Sequence, residues 1–215
     1  MNPGFMSIWI MSITFVLIAT GWKSYLAPEI SARRMALLVI VLVMLLGMPL
    51  WWSPFPEYMH LEIQISVCLL LFIGSMLSYK SSEQASYLGY LILCTLMISI
   101  IWGFIRKMYS YDPVFYWLGP SWDAPLLAGI FCGAFTSQVK HQFGMMVWGA
   151  VLGETVNTVL QSGSYTAHIG HSSWWDSFWI AIAAARLFSL LLKAIRLGIS
   201  KLSIKLWHIK GGRSS

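Results

Sequence analysis

The stretch SYLGYLILCTLMISIIWGFI, Ser86 to Ile105, decides the fold class: twenty consecutive residues without a single Asp, Glu, Lys, Arg or His. As a helix rising about 1.5 Å per residue it is about 30 Å long, the thickness of a bilayer's hydrocarbon core. A helix that is apolar on every side needs lipid or a large protein core around it. A chain of 215 residues has no soluble core of that depth to offer.

Comparable runs lie outward from it in both directions, near 5–22, 35–52, 61–79, 123–138, 142–160 and 174–193, so with 86–105 seven spans are predicted. Turn-forming residues separate them: Ala27-Pro28-Glu29, Ser53-Pro54-Phe55-Pro56, Lys80-Ser81-Ser82-Glu83, and in the longest connection Asp112-Pro113 and Leu118-Gly119-Pro120. The expected fold is all-α, a polytopic transmembrane bundle over residues 1–193 followed by a basic amphipathic tail over 194–215. Composition agrees, with 58% hydrophobic and only 10% charged residues, against about a quarter charged in soluble domains. Cys68, Cys94 and Cys132 each fall inside an apolar run without a pairable spacing, so they read as small buried hydrophobes.

The net charge of +6 is read by position. No Lys or Arg precedes the first apolar run and Lys23 follows it, the reverse of a cleavable signal peptide, so the first helix is expected to insert with its N-terminus outward. Seven spans then leave eleven Lys and Arg on the cytoplasmic side, two outside (Arg106 and Lys107), and Arg186 within the last span. That asymmetry follows the enrichment of positive charge in cytoplasmic loops. Trp22 and Tyr25, Trp51 and Trp52, Tyr109 to Trp122, and Trp174 with Trp175 are expected at the membrane interfaces, where amphipathic rings sit at headgroup level. In the tail, Ile195, Ile199, Leu202, Leu206 and Ile209 form one apolar stripe beside Lys193, Arg196, Lys201 and Lys205. Such a helix is expected to lie on anionic lipid headgroups of the cytoplasmic leaflet, with docking to a partner protein as the alternative. The basic charge therefore belongs to membrane topology, and nucleic acid is not an expected partner.

Ionisable and polar groups at membrane depth are functional candidates. Glu154 falls in the middle of the sixth span, and Asn157 and Gln161 follow at i+3 and i+7 on the same helix face. Arg186, midway along the seventh, is the expected partner of Glu154. Such a pair reads first as a structural ion pair and second as an ion relay or a clamp for an anionic solute. Gly129 with Gly133 and Gly149 with Gly153 have the spacing that lets helix backbones approach closely.

Other chemistries find little support. His168 and His171, with Asp176 nearby, carry metal-binding residue types in a loop, but no metal or other cofactor is expected. A retinal pigment would need a lysine in the middle of the last helix, and Lys193 falls at its end. No nucleophile elbow, metalloprotease helix or phosphate-cradling loop is present, so no catalytic residue is assigned.

Asp112-Pro113-Val114 through Leu118-Gly119-Pro120, the Gly-rich fifth span, Gln142, and Gly153-Glu154 together resemble the YphA-like membrane proteins of endospore-forming Gram-positive bacteria. The resemblance implies a cytoplasmic or forespore membrane location and a link to spore formation, and it assigns no catalytic or ligand-binding residue. The expected role is non-enzymatic, in envelope or spore assembly with membrane partners or further copies of the chain. The alternative is a small transporter or channel for an ion or anionic solute around Glu154 and Arg186.

Overall fold

The computed structural model describes residues 2–26, 50–54, 61–81, 85–112, 116–119, 121–161 and 166–211, with isolated positions at 28, 31, 33, 37 and 114. Among them are α1 (Phe5–Ala19), the short α2 (Lys23–Leu26), β1 (Trp51–Trp52), β2 (Leu61–Gln64), α3 (Ile65–Ser81), α4 (Ala85–Tyr111), α5 (Asp123–Phe135), α6 (Val139–Leu160), β3 (Ala167–Ile169) and α7 (Ser172–Gly211). Among the described residues, three helices are long and apolar enough to cross a membrane: α4, α6 and the Ser172–Ile199 part of α7. Phe5–Ala19, Ile65–Ser78 and Asp123–Phe135 are apolar but shorter. Most of the expected span 35–52 lies outside the described residues.

The all-α expectation is corrected by a small sheet. β1 pairs antiparallel with β2, and β2 pairs in parallel with β3, setting Glu62 opposite His168 and Ile63 opposite Ile169. The 61–79 segment thus starts as a strand and turns helical only at Ile65. Leu61-Glu62-Ile63-Gln64 alternates apolar and polar, the period of a strand with one packed face. Leu61 and Ile63 are buried, and the Glu62 carboxylate meets the His168 imidazole at 2.9 Å on the exposed side.

Helix α6 is the centre of the bundle, packing on α4, α3, α7 and α5. Its glycines explain how closely. A Cβ on Gly149 would come within 2.6 Å of the Ile98 side chain, and one on Gly153 within 2.7 Å of Trp102. Both contacts pair residue numbers that differ by 51, so α4 and α6 run parallel in a single register. The second parallel pair is α5 with α7, where Gly129 and Gly133 sit against the backbone carbonyls of Ala181 and Ala185. Small residues make these approaches because lipid gives helices no hydrophobic reason to associate, and van der Waals contact must do it.

The core includes Ile98, Trp102, Met146 and Phe178, all fully buried. The ring of Trp174 stacks on Phe178 with centroids 5.3 Å apart. Trp174 and Trp175 are therefore core residues, each 3% exposed, and not the interface anchors their position suggests. They open α7 on the side that faces β2 and α6, and the Trp175 indole N–H reaches Gln64 Oε1. Trp22, Trp51, Trp52 and Trp117 are exposed.

The ends of the helices are tied by side chains. Asp176 on α7 accepts the backbone N–H of Gly4 at 2.7 Å, and both the N–H (2.7 Å) and the hydroxyl (2.6 Å) of Ser7. It thereby satisfies N–H groups that a helix start leaves without partners and fixes α1 alongside α7. Asp123, the first residue of α5, accepts the N–H groups of Trp117 and Leu118 and the hydroxyl of Tyr109, which orders the loop before it.

Candidate functional site

Glu154 sits on α6 one residue after Gly153, where α4 approaches closely. It is 2% exposed, and a bare carboxylate at that depth would be costly. The partner that neutralises it is Arg106 on α4: Nη1 stands 2.7 Å from Glu154 Oε1. The indole N–H of Trp102 donates to the same oxygen at 3.1 Å, and the guanidinium lies 5.6 Å from the Trp102 ring centre. Arg106 Nη2 donates to the Ser177 hydroxyl on α7 at 3.0 Å. One ion pair therefore joins α4, α6 and α7.

The expected pairing of Glu154 with Arg186 is corrected. Arg186 lies nine residues beyond Ser177 on α7, about 13 Å farther along the axis, which puts it out of reach of Glu154. Its guanidinium instead donates to the backbone carbonyls of Ser137 at 3.1 Å and Tyr25 at 2.8 Å. These carbonyls belong to the chain that leaves α5 and to α2, so Arg186 closes the opposite end of the bundle. Glu154, for its part, is only six residues from the end of α6, about 9 Å in, and is not at mid-helix.

Asn157 and Gln161 follow Glu154 on α6, and the Gln161 amide donates to Asn157 Oδ1 at 2.8 Å. Two cavities open on Arg106. The smaller, about 200 Å³, is lined by Arg106, Glu154, Thr166, His168, His171, Ser173 and Trp174. The larger, about 380 Å³, is lined by Arg106, Ser173, Asn157, Gln161, Tyr109 and Tyr116 together with three further serines. Glu154 thus faces one cavity, Asn157 and Gln161 face the other, and the Arg106 guanidinium belongs to both. Below the pair the seam between α4 and α6 is filled by Ile98 and Trp102 against Gly149 and Gly153.

Within the smaller cavity's wall the hydrogen-bond inventory is incomplete. Glu154 Oε2, Arg106 Nε and Trp174 Nε1 are buried without a hydrogen-bond partner among the described residues. Asp176 does not join the two histidines, since its carboxylate caps α1, and His168 is held by Glu62. No group of three or more His, Cys, Asp or Glu able to hold a metal occurs among the described residues.

Arg106, Trp102 and Ser177 are the residues that sequence reasoning left out. Arg106 follows the apolar run of α4 and reads as a loop residue, but the helix continues to Tyr111. Its signal is that it breaks the charge rule: one of only two basic residues on the predicted outer side, it is held there by an acid of the neighbouring helix.

No curated protein and no solved structure matches the chain. The model of the YphA-like integral membrane proteins matches residues 3–207, nearly the whole length, and the chain belongs to that family.

Proposed function

We propose that this is a non-enzymatic, multi-pass component of a bacterial cytoplasmic or forespore membrane that supports envelope or spore assembly together with membrane partners. The observation that carries this reading is the use made of the buried charge. Glu154 and Arg106 neutralise each other while tying α4, α6 and α7 together, and the seam beneath them is filled by Ile98 and Trp102. A buried pair of that kind fixes one helix arrangement. The topology proposed is seven spans with the N-terminus outside and the C-terminal tail on anionic lipid of the cytoplasmic leaflet. Asp176 tying Gly4 to the start of α7 at one end, and Arg186 tying Tyr25 and Ser137 at the other, support it.

The test compares Glu154→Gln, Arg106→Gln and the exchange Glu154→Arg with Arg106→Glu in a native host. The scaffold reading expects both single variants to be depleted from the membrane fraction and the exchange to restore abundance and phenotype. Normal accumulation of all three with loss of phenotype sinks it. That outcome favours a second reading, transport of a small solute, which the two cavities meeting at Arg106 support. Its mark is loss of solute flux in Glu154→Gln at unchanged protein level.

A further inference from the structure

Three helices turn polar toward the 380 Å³ cavity, at the end of the bundle that carries the ion pair. On α4, Arg106, Tyr109 and Ser110 stand at i, i+3 and i+4 and share one face. The same spacing puts Asn157 with Gln161 on one face of α6, and Ser173 with Ser177 on one face of α7. Tyr116 and Ser121, from the loop before α5, complete the wall. Polar residues that face inward in a membrane protein mark a cavity or a path. This wall is open to a ligand: Ser110, Tyr116, Ser121 and Ser173 are exposed, Tyr109 and Gln161 are half-buried, and the Arg106 side chain is 19% exposed.

The direction of the hydrogen bonds sets the chemistry. Tyr109 gives its hydroxyl proton to the Asp123 carboxylate, Ser110 to the Lys107 carbonyl and Tyr116 to the Tyr109 carbonyl. A hydroxyl has one proton and two lone pairs, so these three oxygens meet a ligand as acceptors, while the Arg106 guanidinium and the amides of Asn157 and Gln161 supply donors. Fixed charge is matched. Glu154 neutralises Arg106, and the Asp123 carboxylate behind Tyr109 is 2% exposed and satisfied by the N–H groups of Trp117 and Leu118. A singly charged ligand therefore finds no counter-charge. From this geometry we propose that the cavity binds a neutral polyhydroxyl group of the monosaccharide type, whose hydroxyls both donate and accept. The rings of Tyr109 and Tyr116, edge to face with centroids 4.8 Å apart, offer the C–H face of a sugar an apolar surface. Size agrees: at about 30 Å³ per water molecule in the liquid the cavity holds roughly a dozen waters, the bulk of one hexose. The sugar arrives free in water or as the headgroup of a lipid, since Phe104, Met108, Val159 and Leu160 are exposed and apolar on the same turns of α4 and α6. The proposal goes beyond the scaffold reading and does not depend on it, because a bound sugar can complete a scaffold as readily as it can be carried.

The experiment uses the full chain in phosphatidylcholine nanodiscs and ligand-observed NMR titration with methyl glucoside and methyl galactoside, then acetate and methylamine as singly charged probes. At least one glycoside is expected to bind saturably and about tenfold or more tightly than either ion, the difference made by one or two hydrogen bonds. Ser121→Trp, which fills the cavity from the exposed loop and leaves the ion pair in place, is expected to abolish binding while the melting temperature stays within a few degrees. Asn157→Leu, similar in size but without the amide, is expected to weaken the glycoside about fivefold or more. Nanodiscs that also contain a monoglycosyl diacylglycerol separate the two sources of the sugar: a headgroup site is expected to lose the free glycoside to the lipid, and a site for free sugar to keep it. Binding of acetate or methylamine as tight as the glycosides overturns the assigned chemistry. Absence of saturable binding of either glycoside up to ~10 mM, an affinity too weak for a built site, or binding that survives Ser121→Trp, overturns the site. Neither result bears on the Glu154–Arg106 exchange, so the scaffold reading stands or falls separately.

Discussion

Arg106 Nη1 stands 2.7 Å from Glu154 Oε1, and that same oxygen accepts the indole N–H of Trp102. The contact crosses a close helix seam, where Gly103 and Gly153 let the backbones of α4 and α6 meet. Pair and seam depend on each other: the glycines bring the helices close enough for the charges to touch, and the charges hold the register the glycines need.

Removing one member should therefore cost far more than removing both. Arg106→Met leaves the Glu154 carboxylate buried and uncompensated and is expected to destabilise by about 3–5 kcal/mol. The double variant Arg106→Met with Glu154→Met is expected to recover most of that loss. Thermal melts of the detergent-solubilised protein decide it, and a double variant as unstable as the sum of the singles would contradict the pairing.

Glycine substitutions separate close approach from helix propensity. Gly129→Ala pushes a methyl into the Ala181 carbonyl across the α5–α7 seam and is expected to cost about 1–3 kcal/mol. Gly198→Ala, with nothing within 4 Å, is expected to gain about 0.5–1 kcal/mol from helix propensity alone. Equal effects at the two positions would mean that the seam is not as tight as described.

Asp176→Ala removes the acceptor for three hydrogen bonds from Gly4 and Ser7. Hydrogen bonds to a charged group contribute about 1.5–3 kcal/mol each, but α1 is exposed along much of its length, so the loss should be local. Amide hydrogen exchange in the first turns of α1 is expected to speed up on the order of tenfold or more while the core of α6 is unchanged. Unaltered exchange at residues 5–8 would show that α1 is held by something else.

Arg186→Gln is expected to be milder than Arg106→Gln, because it is Arg106 that compensates the buried Glu154 carboxylate. Membrane-fraction abundance of the two variants, expressed side by side, provides the check. A larger loss at Arg186 would show that its ties to Ser137 and Tyr25 hold the bundle more firmly than the buried pair does.

Sidedness follows from labelling. Val114→Cys, placed at an 84% exposed position, is expected to react with a membrane-impermeant maleimide in intact cells, and Lys193→Cys only after permeabilisation. The opposite pattern would invert the proposed topology.

Helices were readable from the sequence because lipid demands long uninterrupted apolar runs, and Ser86 to Ile105 is one. The glycine pairs were readable for a related reason, since close approach excludes every larger residue. The Glu62–His168 sheet was not, because four alternating residues at the head of an apolar run are masked by the run itself. The partner of Glu154 was not either. Choosing Arg106 over Arg186 needs the relative heights of α4, α6 and α7, which depend on how each helix is offset against its neighbours, and hydropathy carries no record of that offset. Asn157 and Gln161 meet through a 2.8 Å hydrogen bond, but Glu154 lines a different cavity, and the guanidinium shared by both cavities comes from another helix.

The hydrogen bond from Gly4 to Asp176 spans 172 positions of chain. At synthesis speeds of about 5–20 residues per second, α1 is made roughly ten to thirty seconds before the carboxylate that secures it exists. During that interval the first turn of α1 lacks the acceptor that completes it in the folded chain. The last helix to be made closes the first, so a chain truncated before Asp176 leaves its opening segment without its anchor.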